Sequence, residues 1–446
     1  MSERLVVVGG DAGGMSAASV VRRARPDVEI VVFERGHITS YAACGIPYVV
    51  AGEVATTDAL VVRTPQQFAE RDIDVRLGHE VVRIDVDERV VEARDLDRGG
   101  TTVLGFDQLM IGTGARPIVP DWPGVDLPHV SVAHKLPDAD RIRDLAADVD
   151  GRPVAVVGGG YVGIEMAEAL LARGARVTLL DAAPQLMGNL DPAMAARVAA
   201  AAERLGIDVR LEAEVEGITP AAVTVGGAEV PAELVVLGLG VRPNSELAAE
   251  AGLTTGVRGA IRVEPTQRTS VEGVYAAGDC AETRNRVSDR PTWIALGTVA
   301  NKTARVAGQN LAGGHARFSG ALGTAITRLV DTEIARTGLS TGEAEEAGFE
   351  PVATVVESTT IAGYMPESNP IAVQIVHDRP TGKLLGGQIV GGRGSAKRID
   401  TIATALWGGL LVEELTELDL AYAPPFSGVW DPVNIAARHA IRPASS

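Results

Sequence analysis

Cysteine is scarce in this sequence, with Cys44 and Cys280 the two present, and glycine is abundant and clustered, so thiol chemistry and phosphate binding are the first functions to consider. Cys44 stands in Ser40-Tyr41-Ala42-Ala43-Cys44-Gly45-Ile46-Pro47-Tyr48, where Pro47 suits the first turn of a helix beginning near the cysteine. A thiol at a helix N-terminus has its pKa lowered, so Cys44 is expected to hold a useful thiolate fraction at neutral pH and to attack a disulfide, persulfide or peroxide. The competing reading of the same residue is an inert buried thiol. Cys280 is read as packing, and a Cys44–Cys280 pair stays open at this level.

The stronger glycine cluster is Val154-Ala155-Val156-Val157-Gly158-Gly159-Gly160-Tyr161-Val162-Gly163. Gly158, Gly160 and Gly163 occupy three fingerprint positions between an apolar run and a helical pattern, so the amides of Tyr161 and Val162 at the helix start can take a pyrophosphate. Asp181 closes the next apolar run and is placed to accept hydrogen bonds from a ribose. Residues 182–189 contain no Arg or Lys for a 2′-phosphate, which favours NADH while leaving NADPH possible. The other cluster, Gly9-Gly10-Asp11-Ala12-Gly13-Gly14, has Asp11 where the middle glycine belongs. Glu34 ends the strand that follows, and Gly278-Asp279, preceded by Thr269, supplies a second acid suited to a ribityl chain. Two nucleotide sites, one with a carboxylate far along the chain, point to FAD plus a nicotinamide, and hence to Cys44 regenerated by electrons from a flavin.

The elements that must position these residues are legible as repeats. Leu5 to Glu34 and Val154 to Asp181 both read as strand, glycine turn, helix and strand, which implies two doubly wound parallel sheets in series. Phe106 to Ala115 reads as a buried strand leaving the first sheet, Arg116 to Pro128 as the crossing linker, and Gly273 to Asp279 as a strand returning to the first sheet. Beyond about Gly320 the texture becomes alternating strands such as Ile371 to Val376, followed by an amphipathic helix from Ser395 to Trp407, which marks a third, α+β domain.

At 446 residues, two or three such domains fit. A net charge of −17 without a run of Lys or Arg argues against nucleic-acid and membrane-surface partners. Two cysteines exclude a disulfide scaffold and a four-cysteine zinc site, and no metal is expected. Met1-Ser2-Glu3-Arg4 runs into strand-like sequence without an apolar leader, and no stretch reaches eighteen apolar residues, so a cytoplasmic protein is expected.

Taken together, these residues resemble the single-cysteine branch of the pyridine nucleotide-disulfide oxidoreductases, which includes coenzyme A-disulfide reductases, NAD(P)H oxidases and peroxidases, and persulfide reductases. The resemblance spans essentially the full length. It implies an α/β fold with two Rossmann-like domains of glutathione-reductase type and a C-terminal α+β dimerisation domain: FAD in 1–112 and 246–320, NAD(P) in 113–245, and the interface in 321–446 of a homodimer. Thr113-Gly114-Ala115 and Gly238-Leu239-Gly240-Val241-Arg242-Pro243-Asn244 match the family's domain-joining motifs. By the same resemblance Arg35, Val81, Thr113, Gly114, Gly240 and Leu296 join Gly9, Gly13, Gly14, Glu34, Gly278 and Asp279 as cofactor-binding positions. Val49 stands where two-cysteine reductases carry the second thiol.

Three positions discriminate within the branch. Ala12 fills the place of a histidine kept by peroxidases and many water-forming oxidases, which favours disulfide and persulfide reduction. Tyr364 in Ala362-Gly363-Tyr364-Met365-Pro366 and Tyr422 in Ala421-Tyr422-Ala423-Pro424-Pro425-Phe426-Ser427 match two tyrosines that reach the other subunit's cysteine. A phenol there can hydrogen-bond a thiolate or protonate a leaving thiol. Ser16, Arg23 and Ser40 match substrate-binding positions, whereas Ala43, Val20 and Trp430 replace the Asn, Gln and Lys of coenzyme A binders. The chain stops at Ser446, so no rhodanese-like domain is expected. The expected activity is NAD(P)H-dependent reduction of a small thiol disulfide or persulfide. The alternatives are an NADH oxidase reducing oxygen, a flavin electron-transfer protein of ferredoxin-reductase type, and a non-catalytic NADH-sensing dimer.

Overall fold

The computed structural model describes residues 3–441; Met1, Ser2 and residues 442–446, where the outer limits of the first and last expected domains fall, lie outside the described residues. Five parallel strands form the first sheet in the order Val274–Ala276, Gln108–Ile111, Arg4–Val8, Glu29–Phe33, Ile73–Arg76. Its central strands are β-branched and buried on both faces, as parallel sheets covered by helices require. The helix Ala12–Ala24 covers one face with Met15, Ala17, Ala18 and Val21. The strand Val274–Ala276 pairs with Gln108–Ile111, so the distant Gly273 to Asp279 segment returns to this sheet as expected.

A second sheet repeats the plan: Asp208–Arg210, Arg176–Leu180, Pro153–Val157, Leu234–Leu237, Val130–Val132, again all parallel. The two crossings between the sheets run side by side. Ala115–Pro117 pairs antiparallel with Val241–Pro243, and the Thr113 hydroxyl donates to the Asn244 carbonyl at 2.6 Å.

The third sheet is antiparallel, in the order Ala325–Leu329, Thr332–Gly338, Leu384–Gly391, Pro370–Asp378, Pro351–Thr359. Sequence reasoning expects its strand through Ile371 to Val376 to alternate between core and solvent, yet every residue after Pro370 is buried. Both faces are covered. Ile371, Val373 and Ile375 pack with Ile399, Ile402, Val433 and Ala436 of the helices Ile399–Gly408 and Pro432–Ala440. Ala372 and Val390 join the core of the second sheet, and Gln374 and Gln388 turn toward Asp191, which begins the helix Pro192–Arg204. Among the described residues no helix is long and apolar enough to cross a membrane.

Candidate active site

Both glycine loops are built by steric exclusion. At Gly9 (φ +106°) an added Cβ would stand 2.2 Å from the Gly112 carbonyl oxygen, and at Gly14 it would stand 1.9 Å from that of Gly9. The second loop repeats this, with 2.4 Å between a Cβ on Gly158 (φ +106°) and the Gly238 oxygen, and 1.7 Å between one on Gly163 and the Gly158 oxygen. Gly160 differs: a Cβ there would meet nothing within 4 Å, so the space ahead of the helix Tyr161–Ala172 stays open beside the amides of Tyr161 and Val162. An open approach to a helix N-terminus suits a pyrophosphate.

The acids expected to hold ribose are also structural. Glu34 accepts hydrogen bonds from the Gly10 and Gly36 amides, both at 2.7 Å, and Asp181 accepts from Gly159 at 2.6 Å and Ala183 at 2.8 Å. Each carboxylate has lone pairs left for a ribose hydroxyl. Arg35 is exposed and paired with Glu80 at 3.4 Å, and Val81 is buried in the first sheet's core, so its side chain is taken by packing. Gly114 (φ +67°) and Gly240 (φ +85°) turn the two crossings with open space around them, and Leu296 precedes the helix Gly297–Leu311. Gly13 stands close to the Ala277 carbonyl, which brings the helix Ala12–Ala24 beside Gly278-Asp279. Thr269, which precedes Gly278-Asp279 in the sequence, donates to the Val274 carbonyl at 2.9 Å and fixes the turn into that strand.

Asp279 provides the test of fit for FAD. Its Oδ1 is buried and has no hydrogen-bond partner among the described residues, an acceptor that a hydroxyl-bearing ribityl chain would satisfy. Burial, helped by Asp11, pushes its carboxyl up to about 6. Asp11, at the missing glycine, accepts from the Tyr41 amide at 3.3 Å and so ties the glycine loop to the Cys44 turn. Burial also pushes Asp11 up to about 6, with Glu34 adding to the rise and Lys135 opposing it.

These two shifts have a measurable consequence for the flavin-free protein. Carboxyls whose folded pKa lies above the unfolded value bind more protons in the folded state, so stability falls as pH rises from about 4 to about 6 and stays low above. Asp11→Asn removes one of them and is expected to raise stability at pH 8 by on the order of 2 kcal/mol, with little change at pH 4. Thermal unfolding of the two flavin-free proteins across that range measures it; parallel pH profiles would show that Asp11 is ionised without cost.

Cys44 is exposed, in a 3₁₀ turn, Ala43–Gly45, that leads into the helix Ile46–Ala51, with Pro47 in its first turn as expected. The expected lowering of its pKa is not what the chain's own groups produce. Desolvation of the thiol, then Glu165, Asp279 and Asp11, push it up. Cys280 is fully buried, its thiol directed at the Ile111 and Ala277 carbonyls, and both cysteines are free, so the pair left open by the sequence is not formed.

Glu165 is the neighbour that sequence reasoning missed. It lies one turn beyond Tyr161 on the helix Tyr161–Ala172, on the same face as Glu168; it accepts from the Thr327 hydroxyl at 2.9 Å, and burial pushes its carboxyl up. An acidic residue in Tyr-Val-Gly-Ile-Glu-Met-Ala was the available sign. The helix behind Cys44 is fastened from the same side. Arg173 donates to the Val50 carbonyl at 2.7 Å, and Arg328 pairs with Glu168 at 3.0 Å and Glu53 at 2.5 Å while lying over the Tyr48 ring.

The expected substrate residues divide. Ser16 donates to Asn301 at 2.8 Å, Arg23 is exposed, and Ser40 (φ 51°) serves through its backbone, receiving the Val62 amide at 2.8 Å. Tyr364 and Tyr422 are 76% and 51% exposed, and their loops are joined by the Ala362 amide donating to the Pro424 carbonyl at 3.1 Å. Phe426, Val429 and Trp430, close to Tyr422 in the chain, are exposed as well. Among the described residues no hydrogen bond joins either tyrosine loop to the Cys44 turn of the same chain.

Two family models together span most of the chain. Residues 3–304 match the pyridine nucleotide-disulphide oxidoreductase family and residues 324–432 its dimerisation domain. The chain is 40% identical to the NAD(P)H coenzyme A polysulfide/persulfide reductase of Pyrococcus horikoshii, over 98% of both chains. It is 35% identical to an NADH oxidase of Methanocaldococcus jannaschii, over 99% of this chain and 100% of that one. Among solved structures, an NAD-dependent persulfide reductase from A. fulgidus superimposes with a TM-score of 0.95 at 36% identity, covering 98% of this chain and 83% of the other.

Proposed function

The chain belongs to the pyridine nucleotide-disulphide oxidoreductases, enzymes that use FAD and NAD(P)H, and from that premise we propose that it reduces a small disulfide or persulfide through Cys44. The observation that carries this reading is the position of Cys44. It is an exposed thiol on a turn tied by Tyr41 to the first glycine loop, and it feels the charges of Asp279, Asp11 and Glu165.

FAD, when bound, supplies the relay between a two-electron hydride donor and sulfur. Gly9, Gly14, Glu34 and Asp279 would hold it, and Gly158, Gly160, Gly163 and Asp181 would hold the nicotinamide dinucleotide. The lack of a basic residue at 182–189 favours NADH. The Cys44 thiolate attacks one sulfur of the acceptor RSSR; the S–S bond breaks, RS⁻ leaves and takes a proton, and a Cys44–SR mixed disulfide remains. Two electrons originating in NADH then cleave that bond, restoring the Cys44 thiolate and releasing the second RS⁻. In a homodimer, the partner subunit's Tyr364 and Tyr422 would donate hydrogen bonds to the leaving sulfur. The relatives' names make a coenzyme A disulfide or persulfide the first acceptor to try.

A second reading, NADH oxidation by oxygen, is favoured by the Methanocaldococcus relative. An oxygen electrode and NADH absorbance separate the two. The reductase reading expects NADH consumption to rise at least about tenfold when coenzyme A disulfide or persulfide is added, with oxygen uptake slow throughout; rapid oxygen uptake that added acceptor does not change would overturn it.

A further inference from the structure

Tyr364 and Tyr422 sit on separate loops, and one side chain binds both. Arg398, with its side chain 13% exposed, pairs through Nε with Asp431 Oδ2 at 3.0 Å, and Asp431 is 12% exposed. Its Nη2 donates to the Phe426 carbonyl at 2.8 Å and to the Thr360 carbonyl, and its Nη1 donates to the Gly394 carbonyl. Thr360 precedes the Tyr364 loop, whereas Phe426 and Asp431 follow Tyr422. Asp431 in turn caps the helix Pro432–Ala440 through the Val433 amide at 2.9 Å. A planar fork with five donors can bind three carbonyls and a carboxylate at once; an ammonium group on a flexible stem cannot reach them in that geometry.

We propose that Arg398 is the positioning residue for the tyrosine pair, locking both loops in one register so that the two phenols arrive together at the partner subunit's Cys44. The proposal rests on the tyrosines assisting sulfur chemistry, as read above. The Ala362–Pro424 hydrogen bond is too little to do this alone, because it leaves the loops free to pivot about one point. Arg398 touches neither glycine loop, so reduction by NADH should not depend on it.

The test uses the FAD-loaded enzyme and the variants Arg398→Lys, Asp431→Asn, Tyr364→Phe/Tyr422→Phe, and Arg398→Lys combined with both phenylalanines. Arg398→Lys is expected to lower kcat with a coenzyme A disulfide or persulfide acceptor by about tenfold. NADH-driven bleaching of the flavin band should stay within about twofold, and light scattering should give an unchanged mass. Asp431→Asn should lose less in the same direction. In the double-phenylalanine background Arg398→Lys should cost nothing further, since its effect passes through the phenols. An equal loss in that background, or full turnover in Arg398→Lys when the phenylalanine variant is impaired, overturns the proposal. Full turnover in Tyr364→Phe/Tyr422→Phe overturns the tyrosine reading itself, a different failure that the same data identify.

Discussion

Cys44→Ser is expected to lower turnover with a small disulfide by about 10³-fold or more, while NADH still bleaches the flavin band at nearly the wild-type rate. A serine hydroxyl cannot form a mixed disulfide, so the acceptor half of the cycle loses its covalent step. The cofactor loops lose nothing, because Gly9, Gly14, Gly158 and Gly163 are held by backbone contacts that the substitution does not touch. Folding should be unaffected at an exposed position in a 3₁₀ turn. Cys280 cannot take over, being fully buried, and Cys280→Ala should retain acceptor turnover within about twofold. Anaerobic stopped-flow kinetics with NADH and then with acceptor resolves the two halves. Undiminished acceptor reduction in Cys44→Ser would sink the thiol mechanism and favour direct transfer from the flavin.

The pH dependence of the same step follows from the neighbours of Cys44. Desolvation and the carboxylates of Glu165, Asp279 and Asp11 push its thiol up, so the reactive thiolate is the minor form at neutral pH in the flavin-free chain. Where attack by Cys44 limits the rate, turnover should rise with pH above 7, and Asp11→Asn should shift that rise to lower pH by removing one negative charge.

The cofactor loops were legible in the sequence because their glycines answer to local sterics: a strand, a turn and a helix can meet closely only where a Cβ is missing, and the spacing records it. The return of Gly273 to Asp279 to the first sheet was legible for a related reason, since a short, largely apolar run ending in Gly-Asp has to be buried somewhere. What escaped depends on residues far apart in the chain. The thiol of Cys44 is pushed up first by desolvation and then by Glu165 and Asp279, surroundings that only the folded sheets bring to it. Ile371 to Val376 looked like a half-exposed strand because Gln374 is polar, but that amide is buried against Asp191 at the start of a helix from the second sheet. The Arg398–Asp431 pair lies 33 residues apart, at the end of the 3₁₀ turn Ala396–Arg398 and at a helix start, with no periodicity to connect them.

Gly160→Ala and Gly163→Ala should fail in opposite ways, although both remove a glycine from one loop. At Gly163 the added methyl would lie 1.7 Å from the Gly158 carbonyl oxygen and 2.8 Å from its carbon. Both are backbone atoms of the turn that the strand Pro153–Val157 feeds, so neither can move without pulling strand from helix. The expected cost is about 3 kcal/mol or more, seen as a lower melting temperature and poor recovery of folded protein. At Gly160 the backbone is extended (φ −81°, ψ −167°), a conformation alanine adopts freely, and the methyl would meet nothing within 4 Å. Stability should hold or improve slightly as the unfolded chain loses freedom. If the open space is where the dinucleotide pyrophosphate passes, that methyl takes its place, and KM for NADH should rise by about tenfold or more with kcat little changed. Melting curves and NADH titrations on the two variants read both effects. A Gly160→Ala enzyme with wild-type melting and wild-type KM would place the nicotinamide dinucleotide elsewhere, because no other property of that position distinguishes it from an ordinary surface alanine.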